Sequence, residues 1–400
     1  MAVIATDLEQ SDVDETDLPG IRGSRAALLA GPSGLLPRQD IRKLVHRKLL
    51  RATQELEESQ FQPASLDLRL GARAYRVRAS FLPGPNRSVE EKLAELKYDV
   101  IDLSEGAVLE RGCVYVVELL EHLHLPDSIV ALANPKSSTG RLDVFTRLIS
   151  DRSEVFDSVA SGYEGRLYAE ISPRSFSIKV RTGSRLNQIR FRRRNSQQHE
   201  LTEFRLSDRE LRELHERSPL VDGDLQVRNG LMLHIELGGI GPERLVGYRA
   251  QRHTDLIDVD LIGEYKFEDF WETVRARDDR RLILDPNEFY ILASKQRLHI
   301  PPHLAAEMVP IDPLMGEFRV HYAGFFDPGF GGTSEGVPGS RAVLEVRSHE
   351  VPFILDDGQM VCRLAYEKMA GQPDTLYGAA GGSNYQGQDL KLSKHFRTPC

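Results

Sequence analysis

Cysteine is scarce in this sequence and scattered where it occurs. The 400 residues include only Cys113, Cys362 and Cys400, and no CxxC pair. An odd number of distant cysteines argues against a disulfide framework and against structural zinc. Excess positive charge is also absent, since 52 Lys and Arg residues face 60 Asp and Glu residues, a net charge of −8. Binders of DNA or RNA are usually basic, so a nucleic-acid polymer is disfavoured as a partner, whereas a small anion in a local basic pocket is not.

Long apolar runs are missing as well. No uninterrupted apolar stretch is long enough to indicate a transmembrane helix, so no membrane span is expected. The N-terminus lacks the basic-then-apolar pattern of a secretion signal, and the expected location is therefore cytoplasmic. Hydrophobic residues make up 40% of the chain and charged residues 28%. These fractions are those of a soluble globular protein, and the length allows two or three domains with cores of their own.

Composition and periodicity divide the chain into five segments. Residues 1–33 are acidic with few large apolar side chains, so we expect a disordered tail. Residues 34–204 and 223–370 contain short apolar runs separated by turns, a pattern typical of an all-β barrel or sandwich. Residues 205–222 predict a charged connecting helix, and residues 371–400 form a Gly-rich C-terminal segment.

The second half of the chain repeats the first at a constant offset, which is the spacing from Pro126 to Pro301. The same offset relates Tyr115 to Tyr290, His124 to His299, Pro135 to Pro310, Glu170 to Glu345 and Gly183 to Gly358. One offset through so many unlike residues is improbable by chance, so the sequence predicts an internal duplication. An earlier segment, Leu66–Gly71, is similar to Ile257–Gly263 at a different offset, which implies a length change between the two elements.

One polar segment is the strongest candidate for a binding loop. Lys136–Arg141 follows the apolar run Ser128–Ala133 and offers two adjacent hydroxyls, a glycine and two cations. Hydroxyls, freed backbone amides and cations together suit phosphate oxygens. The alternative interpretation is an ordinary polar turn after a strand.

The two halves differ where this site is expected. At the repeat offset, Lys136–Arg141 corresponds to Ile311–Gly316, which has neither a hydroxyl pair nor a cation. The second half instead carries an Asp-Pro-Gly turn in Phe326–Phe330 and an acid in Arg341–Val346, whereas the first half reads Ala160–Gly165 at the turn. We therefore predict one composite site, with phosphate-binding groups from the first repeat and acids from the second. Drift between two structural barrels is the alternative.

Taken together, these motifs resemble the dCTP deaminase branch of the dUTPase-like superfamily, in its long tandem-repeat bacterial form. The resemblance covers roughly residues 36–395 and rests on Gln62–Gly71, Lys136–Arg141, Gly183–Gln188, Asp327–Phe330, Val343–Glu345, Tyr377 and Ser383–Gln388. It implies a mainly β fold of two tandem dUTPase-like distorted β-barrels, of the β-clip or jelly-roll type, with a few short helices.

The resemblance also implies substrate-binding roles. The residues that would cradle the triphosphate are Lys136, Ser137, Ser138, Thr139, Gly140 and Arg141, with Thr139 and Gly140 as backbone donors. Asp327 would contact the deoxyribose 3′-hydroxyl, and Val343 and Leu344 would read the cytosine edge. The residues that would close over the phosphates, as part of a lid at 371–400, are Tyr377, Tyr385 and Gln388. The family has a lysine in this tail where the chain has Asn384, and Lys391 or Lys394 is the candidate replacement.

The implied activity is the hydrolytic deamination of dCTP to dUTP and ammonia, in pyrimidine deoxynucleotide synthesis. Glu345 would be the catalytic acid/base, a role worth ~10²–10⁴-fold, with Arg141 and Ser137 stabilising charge or orienting water. Arg141 is expected to keep Glu345 ionised despite burial. His234–Glu236 matches the H-x-E of zinc deaminases, but the matching P-C-x-x-C is missing, so no protein-bound metal is expected. Mg²⁺ would accompany the triphosphate.

Several alternatives stay open at this stage. A dUTP diphosphatase, or a bifunctional enzyme that carries dCTP on to dUMP, could use the same barrel, and a non-catalytic nucleotide-binding regulator is a third possibility. Glu170 is either a vestigial acid or part of a second site. The C-terminal segment is either a lid or a disordered tail. A homo-oligomer is expected, and the composite site forms either within one chain or between chains.

Overall fold

The structure is a computed structural model of the chain. It describes residues 31–194, 204–310, 318–321, 324–332, 339–348, 350–379 and 384–397. Ser33–Cys400 forms one compact unit. Residues 1–30 of the expected acidic tail, and the segment 311–316 that corresponds to the candidate loop, lie outside the described residues.

Strands are the main regular secondary structure of the described chain. In chain order they are β1 Gly34–Leu35, β2 Leu50–Ala52, β3 Leu66–Leu68, β4 Leu70–Val77, β5 Lys97–Asp102, β6 Ala107–Leu109, β7 Val114–His124, β8 Ile129–Pro135, β9 Val144–Ser150, β10 Ser158–Val159, β11 Glu164–Pro173, β12 Ile178–Val180, β13 Asn187–Arg193, β14 Leu231–His234, β15 Leu245–Ala250, β16 Ile257–Asp258, β17 Trp271–Arg275, β18 Arg281–Leu284, β19 Phe289–Leu298, β20 Leu304–Pro310, β21 Phe318–His321, β22 Phe325–Phe326, β23 Ser340–Ser348, β24 Phe353–Asp356 and β25 Met360–Lys368. The prediction of a mainly β fold is confirmed.

The helices are few and short. The α-helices of the described residues are α1 Arg38–His46, α2 Val89–Leu96, α3 Ser137–Gly140 and α4 Asp208–Arg217, and 3₁₀ turns span Glu58–Gln60 and Phe267–Asp269. The segment predicted as a connecting helix forms α4. Its N-cap is Ser207, whose hydroxyl accepts a hydrogen bond from the amide of Glu210 at 3.3 Å, and the Glu210 carboxylate accepts a hydrogen bond from the Ser207 amide at 2.8 Å. Among the described residues, none of these helices has the length and apolar character that crossing a membrane requires.

The second half repeats the sheet order of the first. In the first half the orders are β3–β13–β8–β10, β5–β4–β7–β11–β9 and β6–β12, and in the second they are β14–β25–β20–β22, β17–β15–β19–β23–β21 and β18–β24. Even single bonds recur at the repeat offset. The hydroxyl of Tyr115 accepts from the Glu110 amide at 3.0 Å, and that of Tyr290 accepts from the Asp285 amide at 3.1 Å.

One sequence correspondence is wrong. Ile257–Gly263 is not the counterpart of Leu66–Gly71, because β16 pairs in parallel with β12 of the first half. The place of β3 is taken by β14, which pairs antiparallel with β25 as β3 pairs with β13. Leu231 and Leu233 of β14 occupy the positions of Leu66 and Leu68 of β3. The Leu66–Gly71 pattern is short enough to fit an unrelated segment, and the strand pairing identifies the true counterpart.

The two halves join through buried charges as well as through β16. Arg192 on β13 and Glu367 on β25 are related by the repeat offset, so they occupy the same position in their halves, and they form a buried ion pair with each other. Arg190 donates to Glu307 at 2.7 Å across the same junction. The repeats therefore meet face to face along β13 and β25, which brings loops of one half against strands of the other.

Candidate active site

The candidate phosphate loop is a single helical turn at the end of β8. Lys136 precedes the turn, and its carbonyl accepts hydrogen bonds from the amides of Thr139 and Gly140 at 2.9 and 3.0 Å. Both amides are thus used inside the turn, which differs from the expectation that they serve as phosphate donors. The turn instead presents the side chains of Lys136, Ser137 and Arg141.

The second half supplies two acids. Glu345 lies on β23, the strand between β19 and β21. Asp327 opens the turn after β22, and its carboxylate accepts a hydrogen bond from the Ala64 amide at 3.1 Å. The turn requires Gly331, whose φ is +70° and whose Cβ, if present, would collide with the carbonyl oxygen of Leu298.

The loop of the first half and the acid of the second meet within one chain. The carboxyl group of Glu345 packs against Gly140, where a Cβ would lie only 3.1 Å from the Glu345 Oε1 atom. One pocket contains Lys136, Ser137, Ser138, Gly140, Arg141, Asp327, Val343, Glu345, Tyr377, Tyr385 and Gln388. The interpretation that the composite site forms between two chains is therefore not needed to bring these groups together.

Burial decides the charge of Glu345, and the expectation of an ionised carboxylate is wrong. Removal from water raises the pKa of Glu345 to about 8, which the nearby positive charge of Arg141 opposes and the negative charge of Asp143 reinforces. The desolvation of a carboxyl group that is only 6% exposed outweighs one guanidinium that has other partners. At pH 7 the group is mostly a neutral acid able to donate a proton.

Asp327 is perturbed in the same direction. Burial raises its pKa to about 7, which the hydrogen bond from Ala64 opposes and the negative charge of Asp67 reinforces. Asp67 is itself buried and forms an ion pair with Lys136 of the phosphate loop. The pocket thus places two proton-holding carboxyls beside a cationic loop, an arrangement typical of acid/base sites.

Arg141 is held by the C-terminal segment. Its Nη1 atom donates to the Gln388 side chain at 3.1 Å and to the Lys391 carbonyl at 2.7 Å. Its guanidinium lies 3.8 Å from the ring centroid of Tyr385, within cation–π range. These contacts fix the plane of the guanidinium next to Glu345.

Residues 384–397 of the C-terminal segment are packed across both halves. The hydroxyl of Ser393 donates to the carbonyl of Ser138 at 2.7 Å, in the first half's loop. The Gln388 side chain donates to the carbonyl of Arg341 at 3.1 Å, in the second half. The ring of Phe396 stands edge-on to that of Trp271 at 6.0 Å. Lys394 lines the pocket, whereas Lys391 donates to the carbonyl of Asn384 at 2.8 Å.

Two of the predicted residues do not line the pocket. Leu344 belongs to the apolar core of the second half, as its alternation with Val343 on β23 requires, and Thr139 is buried. Other polar residues were missed, namely Gln62, Asp67 and Gln188, whereas Lys394, one of the two candidates for the tail lysine, does line the pocket. Gln62 begins and Gln188 ends a motif that the sequence analysis had identified. Asp67 could have been recognised because it is the one acid within an alternating apolar strand.

Glu170, the counterpart of Glu345, is engaged elsewhere. Arg147 on β9 lies opposite it on the neighbouring strand and donates to its Oε1 atom at 2.6 Å. The Arg147 guanidinium also lies 3.4 Å from the ring centroid of Phe156. This acid is neutralised by an ion pair, which favours the interpretation of Glu170 as vestigial.

Comparison with known proteins agrees with this geometry. Family models of the N- and C-terminal domains of 2′-deoxycytidine 5′-triphosphate deaminase match residues 32–195 and 207–396. A crystal structure of the 2′-deoxycytidine 5′-triphosphate deaminase of Agrobacterium tumefaciens is 54% identical, with a TM-score of 0.80, and the match covers 84% of this chain and 99% of that one.

Curated relatives are more distant. The "dCTP deaminase, dUMP-forming" of Halobacterium salinarum is 31% identical over 142 residues, 34% of this chain and 66% of the relative. The protein of the same name from Corynebacterium efficiens is 28% identical over 46% of this chain and 89% of the relative, and the "dCTP deaminase" of Natronomonas pharaonis is 28% identical over 42% and 80%. With both domains matched in order and a 54% identical neighbour covered almost end to end, this chain belongs to the dCTP deaminase family.

Proposed function

We propose that this protein hydrolyses dCTP to dUTP and ammonia at the pocket between its two halves, as a step in pyrimidine deoxynucleotide synthesis. The observation that carries the proposal is the packing of the Glu345 carboxyl against Gly140 of the phosphate-type loop. A general acid/base and a triphosphate cradle then lie in one pocket of one chain, which is what a deoxynucleotide deaminase needs.

Glu345 begins the reaction as the neutral acid, because its pKa of about 8 keeps it protonated at pH 7. It donates its proton to N3 of cytosine while a water oxygen bonds to C4, and the carboxylate takes up the proton that the water releases. It then protonates the amino group, the C4–N bond breaks and ammonia leaves. The C4 hydroxyl returns its proton to the carboxylate, so that a carbonyl forms and the acid is regenerated.

The other groups bind and orient. Arg141 stabilises the Glu345 carboxylate while it is charged, and Ser137 orients the attacking water. Lys136, Ser137 and Ser138 bind the phosphates, with Lys394 in the role of the family's tail lysine. Asp327 binds the 3′-hydroxyl of the deoxyribose, and Val343 contacts the base. Tyr377, Tyr385 and Gln388 cover the substrate, and Tyr385 acts through its contact with Arg141.

The proposal also covers the metal ion, the architecture of each half and the oligomeric state. No cluster of three or more metal-ligating side chains occurs in the part of the chain that the structure describes. Mg²⁺, which keeps much of its water and favours phosphate oxygens, would therefore be carried by the triphosphate. We further propose that each half is a dUTPase-like barrel, in line with the repeated sheet order, and that the protein is a cytoplasmic homo-oligomer.

A bifunctional enzyme that forms dUMP is the second candidate. The names of the Halobacterium and Corynebacterium relatives favour it. It requires a second water positioned on the α-phosphate, and the candidate to hold it is Asp67, which pairs with Lys136 of the loop and whose Oδ1 atom has no hydrogen-bond partner among the described residues. A non-catalytic regulator is disfavoured, since the acid and the loop are in contact rather than separated.

The experiment is a product analysis. The purified protein is incubated with dCTP and Mg²⁺, ammonia is quantified, and nucleotides are separated by chromatography. Ammonia with accumulating dUTP supports the deaminase, and ammonia with dUMP and pyrophosphate supports the bifunctional enzyme. If the protein hydrolyses added dUTP but releases no ammonia from dCTP, it is a dUTP diphosphatase and both proposed functions are wrong. If it turns over neither nucleotide, the non-catalytic nucleotide-binding regulator is the remaining candidate.

A further inference from the structure

A second cleft between the halves is rich in arginine and shares no residue with the deaminase pocket. It has a volume of about 210 Å³. Arg111 and Arg174 reach it from the first half, and Arg252 and Arg347 from the second, with Glu288 as the acid in its wall. A cleft with four guanidinium groups and one carboxylate is unusual in a chain whose net charge is −8.

The charges of the cleft do not balance. Arg252 donates from Nε to Glu288 at 3.0 Å, so the one carboxylate that lines the cleft is already paired. Arg347 forms a buried ion pair with Asp143, an acid behind the cleft. The guanidinium groups of Arg111 and Arg174 make no ion pair or hydrogen bond within the described ranges of the chain. Two exposed guanidinium groups without an ion-pair partner among the described residues therefore line the cleft, and guanidinium groups bind oxyanions through paired hydrogen bonds.

The cleft is connected to the deaminase pocket through Asp143. This residue follows the phosphate loop, and its amide donates to the carbonyl of Gly140 at 2.9 Å. Its carboxylate accepts from Ser175 at 2.6 Å, and its carbonyl accepts from the Arg174 amide at 2.9 Å, both at the edge of the cleft. Arg347, its ion-pair partner, lies two residues after Glu345 on the same face of β23.

We propose that this cleft binds a phosphate-type oxyanion, either free pyrophosphate or a phosphate group of a nucleotide, between Arg111, Arg174 and Arg252, and that the bound charge acts on the deaminase pocket through Arg347 and Asp143. The anion supplies the negative charge that the two unpaired arginines lack. Because Arg347 also lines the cleft, the bound charge changes the field that Glu345 experiences.

The binding test uses the full chain and isothermal titration calorimetry with sodium pyrophosphate. The deaminase pocket also attracts this anion, so a Lys136→Ala variant is used to weaken that site and isolate the cleft. Within that background, Arg111→Ala/Arg174→Ala is expected to weaken the remaining binding at least about 10-fold. Arg78→Ala, which removes an exposed arginine that lines neither cleft nor pocket, is the matched control and should leave it unchanged.

Equal affinity with and without Arg111 and Arg174 overturns the proposal, as does loss of all binding in Lys136→Ala alone. The source of the anion is decided by repeating the titration with dATP. Binding of dATP that depends on the two arginines identifies a nucleotide phosphate, and binding of pyrophosphate only identifies the free anion. Neither result depends on turnover, so the anion site is tested independently of the deaminase activity.

The coupling has its own measurement, which rests on the proposed function. With free Mg²⁺ held constant, saturating pyrophosphate should move the alkaline limb of the kcat–pH profile to higher pH, because added negative charge favours the protonated acid. Arg111→Ala/Arg174→Ala should abolish the shift without changing the profile measured in the absence of the anion. A shift that survives in this variant would show that the anion acts at the deaminase pocket instead.

Discussion

Glu170 and Glu345 occupy the same strand position in the two halves, but their surroundings and charge states differ. The residue opposite Glu170 on the neighbouring strand is Arg147, and the residue opposite Glu345 is His321. Arg147 neutralises Glu170 through a 2.6 Å bond, whereas Glu345 makes no ion pair with the side chains that the structure describes and packs against Gly140 of the other half. The same fold position thus gives a structural ion pair in one repeat and a neutral acid in the other.

The difference shows how two repeats of one fold come to carry different parts of the candidate site. A buried carboxyl needs either a cation or a proton, since burial penalises the bare charge. The first repeat supplies the cation and keeps the phosphate-type loop. In the described part of the second repeat no cation pairs with the acid, so Glu345 holds a proton with a pKa of about 8. Each repeat retains one part of the site, and the junction between them assembles the whole.

The largest expected effect comes from exchanging the two acids for amides. Glu345→Gln removes the proposed proton donor and should lower the kcat for ammonia release from dCTP by ~10²–10⁴-fold or more. Glu170→Gln changes the same atom at the equivalent position and should retain near-normal kcat. Similar losses in both variants would mean that the first repeat also holds a working acid.

Breaking the ion pair of the first repeat should affect stability rather than chemistry. Arg147→Met leaves Glu170 buried without its cation, which is expected to cost about 3 kcal/mol in free energy of unfolding, measured by urea denaturation. The double variant Arg147→Met/Glu170→Gln should recover much of that loss, because the amide carries no charge to compensate. If the single variant is as stable as the parent, the pair is not what holds this position.

A methyl group on the phosphate loop tests the contact between halves. Gly140→Ala would place a Cβ 3.1 Å from the carboxylate of Glu345 and should reduce kcat on the order of 10- to 100-fold by displacing it. Gly371→Ala, where the nearest atom is a Pro37 carbon at 3.8 Å, is the control and should have little effect. Normal turnover in Gly140→Ala would show that the carboxyl and the loop can separate freely.

The smallest effect is a pH dependence of stability that comes from the neutral acid of the second repeat, Glu345. The folded protein keeps the Glu345 proton up to about pH 8, while the unfolded chain releases it near the ordinary pKa of a glutamate. Unfolding therefore releases a proton in this window, and the free energy of unfolding falls as pH rises, by up to about 1.4 kcal/mol per pH unit for one group. The slope between pH 6 and 7.5 should be shallower in Glu345→Gln than in the parent. Asp327, whose pKa is about 7, keeps the slope from vanishing.

Much of the fold and the site could be predicted because the duplication allowed each segment of one half to be compared with its counterpart in the other half. The constant offset located equivalent strands, and the divergence at Lys136–Arg141 and Asp327 identified the residues that became specialised. Prediction failed where the signal was short, since the Leu66–Gly71 pattern also fits Ile257–Gly263, whereas the strand pairing identifies β14 as the counterpart of β3. It also failed for Asp67, whose ion pair with Lys136 joins residues far apart in the chain.

The sequence by itself determined the strands, the repeat and the residue types of the site, because alternation, turn residues and a fixed offset are local or linear properties. The tertiary structure decided what those residues do. It placed Glu345 against Gly140, used the amides of Thr139 and Gly140 inside the turn, and buried Leu344 in the core. The charge of Glu345 also depends on desolvation by the other repeat and on Arg141 having other partners. Such effects depend on distances between segments that belong to different repeats, which no local pattern encodes.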